Sequence, residues 1–134
     1  MKIEWENIHT VNIKSLDEEH RGLVKIINDF FETKDDDFKK ISEILEKLKK
    51  YGATHLKHEE ELFEEYDYPD PEKTKHIKEH QNYLIKIEEL YKKYEQKDPN
   101  IKNEMTEFLG QWWIYHINNV DINYSKFLNQ KGVH

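Results

Sequence analysis

The sequence predicts an all-α protein, an antiparallel up-down-up-down four-helix bundle preceded by an N-terminal arm. Three observations support this fold. Apolar residues recur at helical spacing in four segments, an acidic run or Pro separates each segment from the next by a short connection, and no segment alternates with the period of a β-strand. Short connections favour antiparallel neighbours. We therefore expect a single domain over residues 1–134, with the arm at 1–14 and helices at about 15–33, 36–66, 71–96 and 99–131.

The first predicted helix follows an arm that shows no helical period. Ser15-Leu16-Asp17-Glu18 matches a capping box, in which the Ser and Glu side chains satisfy free backbone N–H groups at a helix start. An apolar stripe follows, made of Leu16, Leu23, Val24, Ile27 and Phe31. We therefore expect the helix to begin at Ser15 and to end near Thr33.

The second predicted helix follows the acidic break at residues 35–37. Its stripe steps by alternating threes and fours along Phe38, Ile41, Leu45, Leu48, Gly52, His55, Glu59, Leu62 and Tyr66. Two polar residues, His55 and Glu59, therefore lie on the face that we expect to be buried.

Proline marks the starts of the third and fourth helices. Asp70-Pro71 predicts a cap followed by Pro at the first helical position, where the missing N–H does no harm. The third helix continues through Ile77, Leu84, Ile87 and Tyr91. Asp98-Pro99 repeats the signal, and the fourth helix runs to Gly132 through Ile101, Met105, Phe108, Leu109, Trp112, Val120, Tyr124 and Phe127.

Composition excludes several classes of protein. The net charge is -7 and there is a single Arg, which argues against binding to nucleic acid. The chain has no Cys, so a metal would be held by His and carboxylates. No apolar run approaches the roughly 20 residues that a membrane span needs. We therefore expect a soluble, cytoplasmic protein without a membrane span.

Each predicted helix places at least one polar residue on its buried stripe, where such groups are costly unless they are paired or bound to metal. The set is His20, His55, Glu59, His76, His80, His116 and Asp121. Two pairs in this set are four residues apart, a spacing that puts both members on one helix face. Counted from the shared end of the bundle at about 1.5 Å per residue, one member from each helix lies roughly 8 to 16 Å deep, namely His20, Glu59, His80 and Asp121. These four therefore share a layer, whereas His116 comes out at ~24 Å by the same rise, so we expect the fourth helix to extend beyond its neighbours by a turn or more.

The spacing in the fourth helix is awkward. His116 and Asp121 are five residues apart, which leaves them about 140° apart on an ideal α-helix. Either the Asp carboxylate reaches sideways between two metals, or a π-type bulge near Ile117 to Val120 turns both side chains inward.

The number of donors indicates a dinuclear site. Five imidazoles and two carboxylates are too many for one zinc ion, which usually takes four ligands, but they suit two irons bridged by both carboxylates. If one oxo or hydroxo group also bridges the irons, the imidazoles fill five of the remaining octahedral positions. One position is then open to a small ligand.

These residues resemble the hemerythrin family, and specifically its stand-alone bacterial members, over nearly the whole chain. The matching motifs are Trp5 in the arm, Leu-Asp-Glu-Glu-His ending at His20, His-Leu-Lys-His-Glu-Glu from His55, Tyr-Pro before His76-x-x-x-His80, and Trp-Trp-Ile-Tyr-His with Asp121. They occur in the family's order and spacing. Each motif alone is weak, but together they are specific.

The resemblance implies a ligand assignment: His76, His80 and His116 hold one iron, His20 and His55 hold the other, and Glu59 and Asp121 bridge the two. The second iron would keep the open position, where molecular oxygen binds reversibly. In the resembling proteins a Leu commonly lines the oxygen pocket three residues before the fourth-helix His, and this chain has Trp113 there. We expect the larger ring to narrow the pocket and to alter oxygen residence and oxidation rate.

Other functions of the same two irons stay open at this point. The chain could be a di-iron oxidoreductase or stress protein that handles nitric oxide or peroxide, an iron reserve, or an oxygen sensor. Ferritin-like di-iron oxygenases use mainly Glu with Glu-x-x-His pairs, so the His-rich set favours an oxygen-binding protein over an enzyme. A carrier, a store and a protein that delivers oxygen to an oxygen-using enzyme are equally compatible with these residues.

Three further histidines lie outside this set. His58 is off the inward line, so we expect it at the surface or beside a ligand. His9 and His134 lie outside the predicted helices, and we expect both to be exposed.

Overall fold

Helices make up most of the chain in the computed structural model, which describes residues 2–5 and 8–134. No strand occurs among these residues. The first helix is Lys14–Phe31 and the third is Glu72–Glu95. The second helix joins Phe38–Tyr51 to Lys57–Glu65 through the π-helical turn Gly52–Leu56, and the fourth joins Ile101–Tyr115 to Ile122–Gln130 through the π-helical turn His116–Asp121. The predicted all-α fold is confirmed.

The helices pack as a closed ring of four. Each helix contacts the next one in the chain, and the first also contacts the fourth. The connections at 32–37, 66–71 and 96–100 are short, so successive helices run antiparallel. This is the up-down-up-down bundle that the sequence predicts, and the observed helix ends lie within two residues of the predicted ones. Within the described part of the chain, no helix has the length and apolar character to cross a membrane.

The first helix begins differently from the prediction. It starts at Lys14, its cap residue is Ile13, and no side chain caps its first N–H groups, so the capping box predicted at Ser15 is wrong. The Asp17 carboxylate instead accepts the N–H of Val11 at 2.9 Å. Because Asp17 is turned back toward the arm, it fixes the arm to the start of the helix.

The N-terminal arm lies against the bundle. The Ile3 N–H donates to Asn28 Oδ1 at 2.7 Å, and Asn28 Nδ2 donates back to the Ile3 carbonyl at 2.9 Å. Further along, the His9 N–H donates to Asn118 Oδ1, also at 2.7 Å. The arm is therefore bonded to the first and fourth helices. The predicted arm also includes Met1, Glu6 and Asn7, which lie outside the described residues.

The third and fourth helices begin later than predicted, since their first residues are Glu72 and Ile101, with Pro71 and Asn100 as cap residues, and neither Pro71 nor Pro99 is the first helical residue. The Asp70 carboxylate accepts the N–H of Thr74 at 3.1 Å and so satisfies a free donor in the first turn. Gly132 lies just beyond the end of the fourth helix with a φ of 87°, a left-handed conformation that glycine adopts without strain.

The buried line of the third helix is offset from the predicted one. It consists of His76, His80, Tyr83, Ile87 and Leu90. Of the four predicted residues only Ile87 is buried, and Leu84 is 43% exposed. The two histidines occupy inward positions themselves and Tyr83 and Leu90 continue their line, so a stripe that starts at Ile77 is rotated away from the core.

The π-helical turn in the second helix lies where that helix closely approaches the third. A Cβ atom on Gly52 would lie 3.0 Å from Tyr83 Cε1 and 3.3 Å from Leu84 Cδ2. Glycine therefore permits this contact, and the same turn carries His55 into the core.

A polar layer divides the core into two apolar clusters. In the first helix Leu16 belongs to one cluster and Leu23 to the other, with His20 between them. The same order recurs around Glu59 in the second helix and around Asp121 in the fourth. The fold therefore surrounds one layer of polar side chains with hydrocarbon on both sides.

Candidate metal centre

The polar layer contains all seven side chains that the sequence predicted as metal ligands. Their relative exposure is at most 2%. The first helix supplies His20, the second His55 and Glu59, the third His76 and His80, and the fourth His116 and Asp121. The structure brings all of them together.

The ligand atoms form two groups, within each of which one atom per residue lies within 4.8 Å of the others. One group is Glu59, His76, His80 and His116, and the other is His20, His55, Glu59 and Asp121. Glu59 belongs to both. Its Oε1 atom lies 3.2 Å from His80 Nε2 and 3.5 Å from His55 Nε2. The position of Glu59 suits a bridge between two ions.

Asp121 also faces both groups. Its Oδ1 atom lies 2.8 Å from His116 Nε2 and 3.1 Å from His76 Nε2, whereas its Oδ2 atom lies 3.1 Å from His20 Nε2. Of the two arrangements left open by the sequence, the structure contains the π-helical turn, which spans both His116 and Asp121. Because this turn takes up an extra residue, side chains five apart lie on one face.

The converging atoms are close but not hydrogen-bonded. The Nε2 atoms of all five histidines, Glu59 Oε1 and both carboxylate oxygens of Asp121 are buried without a hydrogen-bond partner. Buried polar atoms in proteins are nearly always paired, so this many unpaired atoms in one layer need another partner. Two adjacent ligands of an octahedral ion, each about 2.1 Å from it, are about 3 Å apart. The arrangement therefore fits a metal site.

Charge in the layer also favours a cation. Burial and the neighbouring Asp121 raise the pKa of Glu59, but the surrounding imidazoles outweigh them and hold it well below its ordinary value. Burial raises the pKa of Asp121 too, and imidazoles led by His116 again lower it well below the ordinary value. Burial lowers the pKa of His76, yet the two carboxylates raise it to about 10. Protons and metal ions thus compete for the same atoms.

Two carboxylates outside the layer orient its imidazoles. Glu19 accepts from His55 Nδ1 at 2.6 Å and, through its other oxygen, from His58 Nδ1 at 2.8 Å. Glu60 accepts from His80 Nδ1 at 2.8 Å. With the proton on Nδ1, the Nε2 lone pair of each buried ring is directed into the layer.

Sequence reasoning missed Glu19 and Glu60 because both belong to charged runs typical of exposed helix faces. The sequence did contain a signal for both residues. A buried imidazole that binds a metal needs a hydrogen-bond acceptor for its second nitrogen, and each of these carboxylates is adjacent in sequence to a predicted ligand. His58 lies outside the layer and contacts Glu19, as expected of a residue beside a ligand. His9 and His134 are exposed, as predicted.

Aromatic rings enclose the layer. Trp113 is 1% exposed, and its ring centroid lies 6.4 Å from that of His55 and 6.1 Å from that of His116. Trp112 stacks on His116 at 4.4 Å with an interplanar angle of 10°. The Tyr124 hydroxyl donates to Glu59 Oε2 at 2.5 Å, a contact that the sequence did not predict.

The four-helix bundle, with five imidazoles and two carboxylates buried in one layer, has the architecture of a metal-binding helical protein. Residues 11–125 match the hemerythrin family model, described as the hemerythrin HHE cation binding domain. The chain belongs to the hemerythrin family.

Individual relatives cover most of the chain. The chain is 31% identical over 121 residues to the myohemerythrin of Theromyzon tessulatum, which spans 90% of this chain and 89% of that protein. It is 28% identical over 126 residues to the bacteriohemerythrin of Clostridium acetobutylicum, with 90% and 96% covered. The bacteriohemerythrin of Pseudomonas aeruginosa is 26% identical over 121 residues, with 90% and 77% covered.

Proposed function

We propose that this protein binds molecular oxygen reversibly at a non-haem di-iron centre. In this proposal His76, His80 and His116 hold one iron, His20 and His55 hold the second, and Glu59 and Asp121 bridge them. The observation that carries the proposal is the set of buried ligand atoms that face one another without hydrogen bonds. Family membership and the grouping of these atoms around a shared Glu59 support it.

A bound pair of ferrous ions would supply reversible two-electron redox chemistry and a coordination position for oxygen. The chain's own residues hold and shield that pair. Glu19 and Glu60 fix the rings of His55 and His80 with Nε2 inward. The Tyr124 hydroxyl holds the Glu59 carboxylate in place at 2.5 Å.

The walls of the layer exclude water. Apolar clusters lie on both sides of it, and Trp113 and Leu56 are at most 2% exposed. Exclusion of water favours reversible binding, because water and protons displace reduced oxygen species from a metal. This supports an oxygen-binding role over an enzymatic one in our proposal.

Metal analysis and visible spectroscopy test this function directly. We expect two iron ions per chain, and an absorption band that appears when the reduced protein meets oxygen and disappears under argon over repeated cycles. A His116→Ala variant should retain less iron and give no such band, whereas a His134→Ala variant should behave like the parent. Loss of the band in one turnover with release of peroxide would contradict the proposal and indicate an oxidase. Absence of bound iron would contradict the metal site itself.

A further inference from the structure

A surface pocket lies beside the metal centre, between the third and fourth helices. Its volume is about 220 Å³. The third helix contributes Glu72, Lys75, His76 and Glu79 to its lining, and the fourth contributes Tyr115 and Asn119 among others. We call this cavity the helix 3–4 pocket.

His76 forms the boundary between the helix 3–4 pocket and the polar layer. Its side chain lines the pocket, yet it is 2% exposed and its Nε2 atom lies 3.1 Å from Asp121 Oδ1. His76 is therefore the residue of the polar layer that also lines the pocket.

The pocket carries Glu79, a carboxylate that forms no ion pair within the described part of the chain. Glu79 is partly buried, and it makes no ion pair or hydrogen bond with any residue in 2–5 or 8–134. Glu72 does have a cationic neighbour, since its Oε1 atom lies 4.0 Å from Lys75 Nζ. A negative side chain of this kind beside a metal-ligating ring attracts a positively charged ligand.

We infer that the helix 3–4 pocket is the port through which a hydrated divalent cation reaches the metal-free layer. This inference rests on the proposed di-iron function. Glu79 would concentrate the cation in the pocket, and His76, which lines the pocket and lies beside Asp121, would be the first residue of the polar layer that the cation meets.

Removing a negative or a positive charge from the pocket should change the rate of metal loading in opposite directions. Ferrous ion would be mixed anaerobically with metal-free protein, and the quenching of tryptophan fluorescence would be followed by stopped flow, since Trp112 stacks on the ligand His116. Glu79→Gln should slow the second-order loading rate, and Lys75→Gln should accelerate it, by roughly two- to fivefold each, because a local charge changes the concentration of cation at the port. High salt should reduce both differences, since the screening length falls to about 3 Å at 1 M.

Matched controls separate the port from a general effect of net charge. Glu95→Gln and Lys92→Gln make the same changes at exposed positions near the other end of the third helix. They should load at the parental rate. If Glu79→Gln and Lys75→Gln load like these controls, the port is excluded, even though the final content of two metals per chain would still support the di-iron centre. If no variant and no parent protein takes up iron, the proposed function fails instead.

Discussion

Trp113 is the residue at which this chain departs from the pattern of the proteins it resembles. Its buried ring lies against Tyr51 and Tyr83, with centroid distances of 5.5 and 5.0 Å, and within 6.4 Å of His55. His55 is one of the two imidazoles that we assign to the iron with the open position. Trp113 therefore occupies volume beside the proposed oxygen site, and we propose that it lines the oxygen pocket.

Replacing this ring with a smaller side chain should make the centre less resistant to oxidation. Trp113→Leu leaves space that water can enter, and we expect spontaneous oxidation of the oxygenated protein to rise by about tenfold. Stopped-flow and long-term spectra would measure oxygen release and oxidation. Phe30→Leu is the control, because Phe30 is also fully buried but lies ten residues beyond His20 in the first helix. Both variants should lose roughly 1 to 4 kcal/mol of stability. Unchanged oxygen kinetics in Trp113→Leu would remove this role.

Single residues also show what the sequence could and could not reveal. The seven buried donors were predictable, since polar residues on an apolar stripe are costly to bury unless they are paired or bound to metal, and a spacing of four directs both members of a pair to one point. Glu19 and Glu60 were not predicted, because their role depends on which helix lies opposite, and spacing within one helix does not contain that information. The inward line of the third helix was predicted one position away, because Ile77 and Leu84 are apolar but two histidines take the buried positions.

The two π-helical turns are the elements that place donors on the second and fourth helices. The turn at His116–Asp121 could be predicted from the five-residue spacing of two donors. The turn at Gly52–Leu56 could not, since His55 and Glu59 are four apart and match a regular α-helix. A wider turn also moves the residues that follow it, and in the second helix Phe63 is fully buried where Leu62 was predicted.

Because a π-helical turn contains one residue more than an α-helical turn, we expect deletion of its exposed residue to be tolerated. Removing Asn119 should convert the turn to regular α-helix and leave His116 and Asp121 four apart, still on one face. Circular dichroism should show an unchanged helix content, and metal analysis should find two ions per chain.

Deletion of the exposed Gln111 is the matched control, since it lies in a regular α-helical stretch of the same helix. There, loss of one residue turns everything that follows by about 100° and should abolish metal binding. An Asn119 deletion that folds but takes up no metal would show that the turn needs its extra residue. A Gln111 deletion that still binds two metals would show that metal binding does not depend on the register of the helix.

At the scale of the whole molecule, the polar layer links all four helices. A metal that binds the folded state and not the unfolded state stabilises the folded state. The gain is about 4 kcal/mol when the free metal concentration is a thousand times the dissociation constant. Removal of metal with a chelator should therefore lower the melting temperature by roughly 10 to 20 °C. Calorimetry before and after chelation, with reloading as the control, measures this difference. An unchanged melting temperature would show that the bundle does not need the metal.

The acid–base behaviour of the layer predicts opposite trends with and without metal. In the metal-free protein the pKa of His76 is about 10, above its ordinary value of 6.5, so this group contributes stability that is fully present below pH 6.5 and is lost as the pH rises toward 10. Metal affinity should instead increase over the same range, because each metal must displace protons. Denaturation curves of the metal-free protein and proton release on metal addition measure the two trends. Metal uptake at pH 7 without proton release would contradict this account.

The bonded N-terminal arm has a practical consequence for anyone who labels this protein. The His9 N–H is held by Asn118, which lies inside the π-helical turn that also carries His116 and Asp121. A fluorescent protein or affinity tag fused at the amino terminus would be joined to an arm that is bonded to this turn, whereas a fusion placed after Gly132 would be joined to the end of the fourth helix. Fusions intended to leave the candidate metal centre undisturbed belong at the carboxyl end.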